Sequence, residues 1–445
     1  MQKTADFVIC GAGSIGVAIA YYLTQQGHNN FVLVDKYRPL SQTSAKSGEN
    51  YRDWWPLPAM SQFMSRSIDL MERLALETDN LFNLTRRGYV YASTKTDPAF
   101  LAELADIRYH DTPTAINYKP IQADWQNQPL GADILRNQAL IGHTFPHFSD
   151  EVKTAVHARR CGDLSASQLG MYLLKQAKLA GAVELRGEVV AIEQDSQGVS
   201  KVRIVGKDET VEISTRRFIN AAGPYAPHVA NLLNINLPIF SVFQQKVAFD
   251  DPLGIIPRHM PFTIFADPQY LEWDDDEREL LESESGYAWL LEEFPGGLHI
   301  KPDGGENGTW IKLGWAFNQQ PEEVVWKRPK VPEFVDVAVR GAARLVPGLR
   351  GYFDNVSKPF SHYGGYYTKT AENLPLIGPL DVAGAYICGA FSGFGTMASC
   401  AAGELIAQWI TGNELPDYAS LFAPSRYTNS RYQTLLKEIG QTGEL

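Results

Sequence analysis

Phe7-Val8-Ile9-Cys10 is a short unbroken apolar run near the start of the chain, and Phe31-Val32-Leu33-Val34 repeats it. Runs of this length without alternation predict strands buried on both faces, as in a parallel sheet. Between them, residues 17–26 form an apolar stretch long enough for a helix. Helical spacing returns over residues 61–77 and 165–180. Residues 183–185 and 189–192 read as strands, and 202–205 with 210–213 as a hairpin. Phe218-Ile219-Asn220 is another short strand, running through Ala221-Ala222-Gly223-Pro224 into a helix expected over 225–233. From residue 237 to about 349 the pattern changes to alternation with many aromatics and Pro-Gly turns, which predicts a mostly antiparallel layer. Residues 386–389 give a last buried strand, 390–395 a glycine-rich turn, and 396–410 a helix. Residues 89–150 are mixed, with Pro and polar breaks.

The turn between the first strand and helix is Gly11-Ala12-Gly13-Ser14-Ile15-Gly16, and Asp35 ends the second strand. A GxGxxG turn with a strand before it, a helix behind it and an acid after the next strand predicts a bound dinucleotide. Gly11 permits the turn, Gly13 lets a pyrophosphate approach the backbone, and Gly16 lets helix and strand pack closely. The helix N-terminus offers its free N–H groups to phosphate, and Asp35 can accept from a ribose hydroxyl. The motif alone leaves NAD, NADP and FAD open. No second GxGxxG occurs mid-chain, as a nicotinamide-to-flavin relay would require. A glycine loop before a helix at each end, with Ala221-Ala222-Gly223 between, suits one long ligand and brings both ends of the chain into one domain. FAD reduced directly by an organic substrate fits best. The helix behind Gly393-Phe394-Gly395 and Thr396 would point its positive end at the flavin pyrimidine edge.

Composition narrows the partners. The chain has 445 residues, 44% hydrophobic, and a formal net charge of −11. No basic stripe exists to neutralise a nucleic acid backbone. Residues 272–284 hold eight acids and one base, a net of −7 that leaves −4 for the rest; such a run reads as a solvated loop or helix face. The cysteines Cys10, Cys161, Cys388 and Cys400 show neither CxxC pairing nor metal-ligand spacing, so no metal site is expected. No stretch of about 20 apolar residues could span a membrane. No signal peptide is recognisable, and the chain reads as soluble and cytoplasmic. Nothing in it sets an oligomeric state.

On GAGSIG, the loop over 44–52, Trp310-Ile311-Lys312-Leu313-Gly314-Trp315, and Gly-Gly-Tyr-Tyr-Thr-Lys-Thr-Ala-Glu-Asn-Leu-Pro-Leu-Ile-Gly-Pro with Gly-Ala-Phe-Ser-Gly-Phe-Gly over 364–395, the chain resembles the D-amino-acid-oxidase-like FAD oxidoreductases. Within them it looks most like the sarcosine oxidase and dimethylglycine dehydrogenase branch. The resemblance implies a Rossmann-type FAD-binding domain made of residues 1–88, 151–233 and 355–425. It implies a substrate domain on a mostly antiparallel sheet, residues 89–150 and 234–354, with a tail over 426–445. Asp35 and Lys36 would contact the adenosine ribose region, and Val189 the adenine through its backbone. Ser44, Ser47 and Gly48 would line the pyrophosphate and flavin edge. Arg52 looks like the arginine that holds substrate carboxylates; its plainer reading is a structural ion pair. Lys312 looks like the lysine that helps dioxygen react with reduced flavin; its plainer reading is an ordinary strand lysine exposed to water. Tyr366 or Tyr367 would face the flavin, not both if they lie on a strand, and Tyr366 is taken as the catalytic one. Read from the residues themselves, Trp54 and Trp55 either wall the substrate side for a cationic amine or pack beside Pro56.

Three departures stand out. The cysteine that tethers flavin in sarcosine oxidases is replaced by Gly365, and no histidine tether is evident near Lys46, so FAD is expected to be non-covalent. A second carboxylate-binding lysine maps near Met397, and a histidine maps to Ala316. Flavin handling looks retained and the substrate shell rewritten. The expected reaction is oxidation of a C–N bond in a secondary or N-methylated amine or amino acid, with dioxygen as acceptor. The alternatives are a primary amine or amino acid oxidase or dehydrogenase, and a flavoprotein assembly factor that docks through the acidic run.

Overall fold

The computed structural model describes residues 4–98, 107–109, 130–305, 307–353 and 355–438. Parts of the mixed 89–150 region, and the chain beyond 438, therefore lie outside the described residues.

Phe7–Cys10 sits near the centre of a six-stranded sheet, between Phe31–Asp35 and Phe218–Asn220, all parallel. The edges are Val183–Arg186 on one side and Ala385–Gly389 with Leu376–Pro379 on the other. Only the last pair is antiparallel. The unbroken apolar runs have the expected cause: both faces are covered. Phe7, Ile9, Phe31 and Leu33 pack on the helices Ser14–Gln25, Pro58–Glu77, Ala166–Leu179 and Gly395–Thr411. Val8, Cys10, Val32 and Val34 face an antiparallel meander, Glu188–Asp195, Gly198–Val205 and Thr210–Ser214. The expected hairpin is thus the later half of a three-stranded layer. The first and last long helices, Ser14–Gln25 and Gly395–Thr411, touch where Gly403 faces Ala18: a Cβ there would sit 2.7 Å from the Ala18 carbonyl carbon.

The second half is a nine-stranded sheet, antiparallel except where Phe262–Phe265 meets Tyr89–Ser93 and Ile107–Tyr109 meets Ala132–Leu135. Its strands alternate as period two requires. Val247, Phe249, Ile300, Ile311, Leu313 and Trp315 pack beneath the helix Phe334–Leu345. The opposite face, carrying His299, Lys301, Lys312 and Lys246, turns toward the cofactor half.

Two strands shift the division expected from sequence. Thr154–Ala158 and Phe360–Lys369 pair within the nine-stranded sheet, so cuts at 151 and 355 separate strands from their neighbours. Backbone pairing, invisible in local pattern, decides that membership. The tail expected from 426 likewise begins with a fully buried residue, Arg426.

The acidic run is more than a solvated face. Asp275–Ser283 is a helix with a capping box between Asp274 and Glu277. Glu277 pairs with buried Arg340, whose guanidinium lies 4.2 Å from the Trp273 ring centre and 4.6 Å from that of Phe353. Glu272 pairs with Arg350 at 2.6 Å. Part of the negative charge is therefore spent on the protein's own helix. All four cysteines are buried and free, and among the described residues no cluster of metal-ligating side chains occurs.

Candidate active site

The turn Gly11–Gly16 is built by close approach. Gly11 has φ +109°, and a Cβ there would meet the Ala221 carbonyl oxygen at 2.2 Å. A Cβ at Gly16 would meet the Gly11 carbonyl oxygen at 1.8 Å. These contacts bring the strand ends at Cys10 and Asn220 flush with the helix start, at the carboxyl edge of the sheet where ligands of such folds bind. Asp35 braces the turn: its carboxylate accepts from the Ala12 and Tyr37 amides, each at 2.7 Å. Burial raises its pKa, offset by those two amides.

One cavity runs along this edge. Of the residues expected at the cofactor, Gly11, Gly13, Ser14, Ile15, Asp35, Lys36, Ser44, Ser47, Gly48, Val189, Ala222, Gly223, Gly393, Gly395 and Thr396 line it. Gly16 and Phe394 do not: Gly16 packs behind the turn, and the Phe394 ring stands edge-on to Trp55 at 5.0 Å. Both helix N-termini open onto the cavity, and neither N-cap residue, Gly13 or Phe394, caps its helix through a side chain. Their N–H groups and positive dipole ends await an anionic partner. Ser44 Oγ takes the Ser14 amide at 2.9 Å. Ser14 Oγ and Thr43 Oγ1, also on the wall, are buried hydroxyls with no hydrogen-bond partner among the described residues. Two such hydroxyls beside a helix N-terminus fit a pyrophosphate. The residues present therefore suit a dinucleotide stretched between the two ends of the chain.

At the adenosine end, Lys36 pairs with Glu188 at 2.7 Å at the rim, next to Val189. Trp326, which no sequence signal marked, stands edge-on to Tyr37 at 5.4 Å and lies 5.1 Å from Tyr225, joining the two halves over the cavity. At the other end, Ala390 and Ser392 hold left-handed backbone, φ +61° and +44°, in the loop before the last long helix. Strain of this kind persists only where the surroundings impose it.

The sequence matches the profile of the DAO family, FAD dependent oxidoreductase, over residues 6–409. The chain belongs to this family. Its cofactor is FAD and it is an oxidoreductase. Among curated proteins it is 21% identical over 437 residues to mitochondrial dimethylglycine dehydrogenase of Rattus norvegicus, covering 96% of this chain and 45% of that protein. It is 22% identical over 449 residues to monomeric sarcosine oxidase of Arthrobacter sp. (strain TE1826), covering 98% and 100%. The chain thus spans less than half the length of the dehydrogenase. Among solved structures, L-proline dehydrogenase from P. horikoshii superposes with a TM-score of 0.72 at 20% identity over 96% of this chain and 99% of that one. Glycine oxidase from Geobacillus kaustophilus gives 0.70 at 17%, over 95% and 98%. Both share the fold of a Rossmann-type cofactor half with a sheet-based second half.

Three expected catalytic residues now have surroundings. Arg52 is 4% exposed. Its guanidinium lies 4.0 Å from the Trp55 ring centre and about as far as 6 Å from those of Trp54, Tyr89 and Tyr91, and it donates to the Tyr91 hydroxyl. The expected alternative, a structural ion pair, is absent among the described residues. Trp54 and Trp55 are joined here by two tyrosines from Tyr89–Ser93, a strand within the mixed stretch 89–150.

Lys312 pairs with Asp303 at 3.1 Å and Glu49 at 3.7 Å, which balance its charge. Tyr366 borders the cavity; its hydroxyl takes the Val325 amide at 2.9 Å and its ring meets Phe243. Tyr367, one residue on and facing the other way, lies against Gly393, where a Cβ would come within 2.7 Å of the ring. Period two limits the choice to one of these tyrosines but does not say which. Gly365 lines the cavity beside Lys46, whose Cβ would be 3.2 Å from one added at Gly365.

Proposed function

We propose that this oxidoreductase oxidises the C–N bond of a secondary or N-methylated amine that carries a carboxylate, an N-substituted amino acid. The observation that carries the reading is Arg52, a buried guanidinium with aromatic neighbours and no carboxylate partner among the described residues. A charge held out of water is stable when an anion completes it, and the planar fork of arginine matches a carboxylate in bidentate fashion. The names of the relatives, a dimethylglycine dehydrogenase and a sarcosine oxidase, point to the same substrate class.

In this reading Arg52 fixes the carboxylate, and the rings of Trp54, Tyr89 and Tyr91 exclude water and wall the amine side. FAD, when bound, supplies the acceptor for the hydride equivalent that leaves the carbon next to nitrogen. The protein's own work is to orient that carbon, keep the amine unprotonated at the moment of transfer, and keep the site dry. The resulting imine hydrolyses to an amine and a carbonyl compound. Dioxygen is the proposed acceptor of the electrons, with hydrogen peroxide as product. Gly365 supports a non-covalent cofactor, since it offers no side chain for a tether.

Acid precipitation of the purified protein is expected to leave a yellow supernatant; a yellow pellet would contradict the reading of Gly365. A panel of N-methyl-L-amino acids, L-proline and their D-forms should include compounds that bleach the flavin anaerobically and release peroxide in air. Bleaching without peroxide would mark a dehydrogenase. If no amine bleaches the flavin, the substrate reading fails.

A further inference from the structure

Four strands place a row of side chains across the cofactor-facing side of the nine-stranded sheet: His299, Gly314, Lys246 and Tyr363 are consecutive register partners. The next row brings Lys301 beside Lys312. Three lysines therefore share one buried face, and their partners differ. Lys301 pairs with Asp163 at 3.2 Å, and Lys312 with Asp303 and Glu49. Lys246 has no carboxylate partner among the described residues. It is 6% exposed, donates to the Lys46 carbonyl at 3.3 Å, and lies 5.5 Å from the Tyr367 ring centre, on the wall of the FAD cavity.

A buried ammonium without an anion is costly, whereas a buried neutral amine is not. The Lys46 carbonyl and the Tyr367 ring favour the ammonium, whereas the other groups around it repel its charge, are neutral or have their own charge engaged elsewhere. Lys312, on the adjoining strand, repels its charge. Lys46, on the loop above, has its ammonium over the Tyr363 ring at 5.6 Å. Burial, with the Lys246 and other nearby ammonium groups adding to it, lowers His299 to about 3, so the imidazole is neutral. Burial raises the Tyr363 phenol, also neutral. Glu49 and Asp303, the nearest carboxylates in this network, are engaged by Lys312. Burial first, and then Lys312, bring Lys246 down from the ordinary 10.5 to about 8.

We propose that the ε-amine of Lys246 is the base that takes the proton from the substrate's ammonium group before the adjacent carbon is oxidised. The inference rests on the proposed amine chemistry and assigns its missing proton acceptor. In this step the substrate N–H bond breaks, its electron pair stays on nitrogen, and the proton bonds to Lys246 Nζ. No electron changes hands until the C–H bond is oxidised. Lys246 then returns the proton to solvent.

The test uses the FAD-loaded full chain, with the N-methyl amino acid that bleaches the wild type fastest. Anaerobic reduction in the wild type should rise with pH through about 8, because the base must be neutral. Lys246→Met should lower the reduction rate about 10²-fold or more at pH 7, leave KM within about threefold, and abolish that limb. Lys246→Arg keeps a cation and should not restore it. An independent readout needs no turnover: pulse labelling of wild-type amines with formaldehyde and borane, followed by peptide mass spectrometry, should show Lys246 reacting with a midpoint near pH 8. A labelling midpoint near 10.5 overturns the proposal even if Lys246→Met fails to fold, and so does a slowed variant whose pH profile is unchanged. Absence of bleaching by any amine in the wild type instead sinks the substrate reading, and the base assignment with it.

Discussion

Arg52→Met is expected to lower kcat/KM for an N-methyl amino acid by about 10²- to 10³-fold, almost all of it through KM. Truncating one partner of a buried, hydrogen-bonded charge pair costs about 2–5 kcal/mol, and each 1.4 kcal/mol is about tenfold in affinity. Here the partner is the substrate's own carboxylate. In the free protein Arg52 is held by the Tyr91 hydroxyl and by aromatic faces, nearest that of Trp55, with no carboxylate partner among the described residues. Removing an uncompensated buried charge should therefore leave the melting temperature unchanged or raise it. Loss of substrate binding without loss of stability is a pattern that a structural arginine does not produce. Arg52→Lys keeps the charge but neither the planar stack nor the two-pronged fork, so it should recover only part of the affinity. The decisive comparison is a matched amine lacking the carboxylate: Arg52→Met should scarcely change its kinetics. An equal loss with both substrates would remove the carboxylate assignment.

What the sequence made legible here was local. Strand, glycine turn and helix follow one another within Phe7 to Gln25, so their relation can be read along the chain, and the same holds for Gly389 to Thr411. The expected cofactor residues of these segments, apart from Gly16 and Phe394, accordingly line the cavity. What stayed hidden depends on strands brought together from far apart. Lys312 reads as a lone cation in its own strand, yet Asp303 comes from the neighbouring strand and Glu49 from a distant loop. Lys246 sits in Phe240–Asp250 with ordinary alternation, and what distinguishes it from Lys301 and Lys312 is that no carboxylate pairs with it among the described residues. The orphaned hydroxyl of Thr43 carries no sequence signature at all, although its neighbour Ser44 was recognised. Tyr366 and Tyr367 show the intermediate case: alternation separates them onto two faces, but the sign of the phase is set by what packs on each face.

Arg426→Met is expected to destabilise the protein by about 3–5 kcal/mol, as the loss of one partner from a fully buried ion pair does. Arg426 is 0% exposed. Its Nε donates to Glu372 at 2.9 Å, its Nη1 to the Pro375 carbonyl at 2.6 Å, and its Nη2 to the Tyr427 hydroxyl at 2.9 Å; that hydroxyl donates to the same carboxylate at 2.8 Å. Glu372 lies between Phe360–Lys369, an edge strand of the nine-stranded sheet, and Leu376–Pro379, an edge strand of the six-stranded one. The network thus fastens the crossover from one sheet to the other. Without the guanidinium, Glu372 is left as a buried carboxylate with only Tyr427 as a side-chain donor among these groups. Replacing both partners by apolar residues, Arg426→Met with Glu372→Leu, should recover more than half of the lost stability, since no charge is then stranded. Urea unfolding followed by far-UV circular dichroism measures both, and a loss under about 1 kcal/mol for the single variant would show that the pair does not hold the crossover. FAD fluorescence during the same titration adds a second check. Leu376–Pro379 pairs with Ala385–Gly389, whose end leads into the strained loop at Ala390 and Ser392 beside the cavity. Cofactor release should therefore move to lower urea together with unfolding.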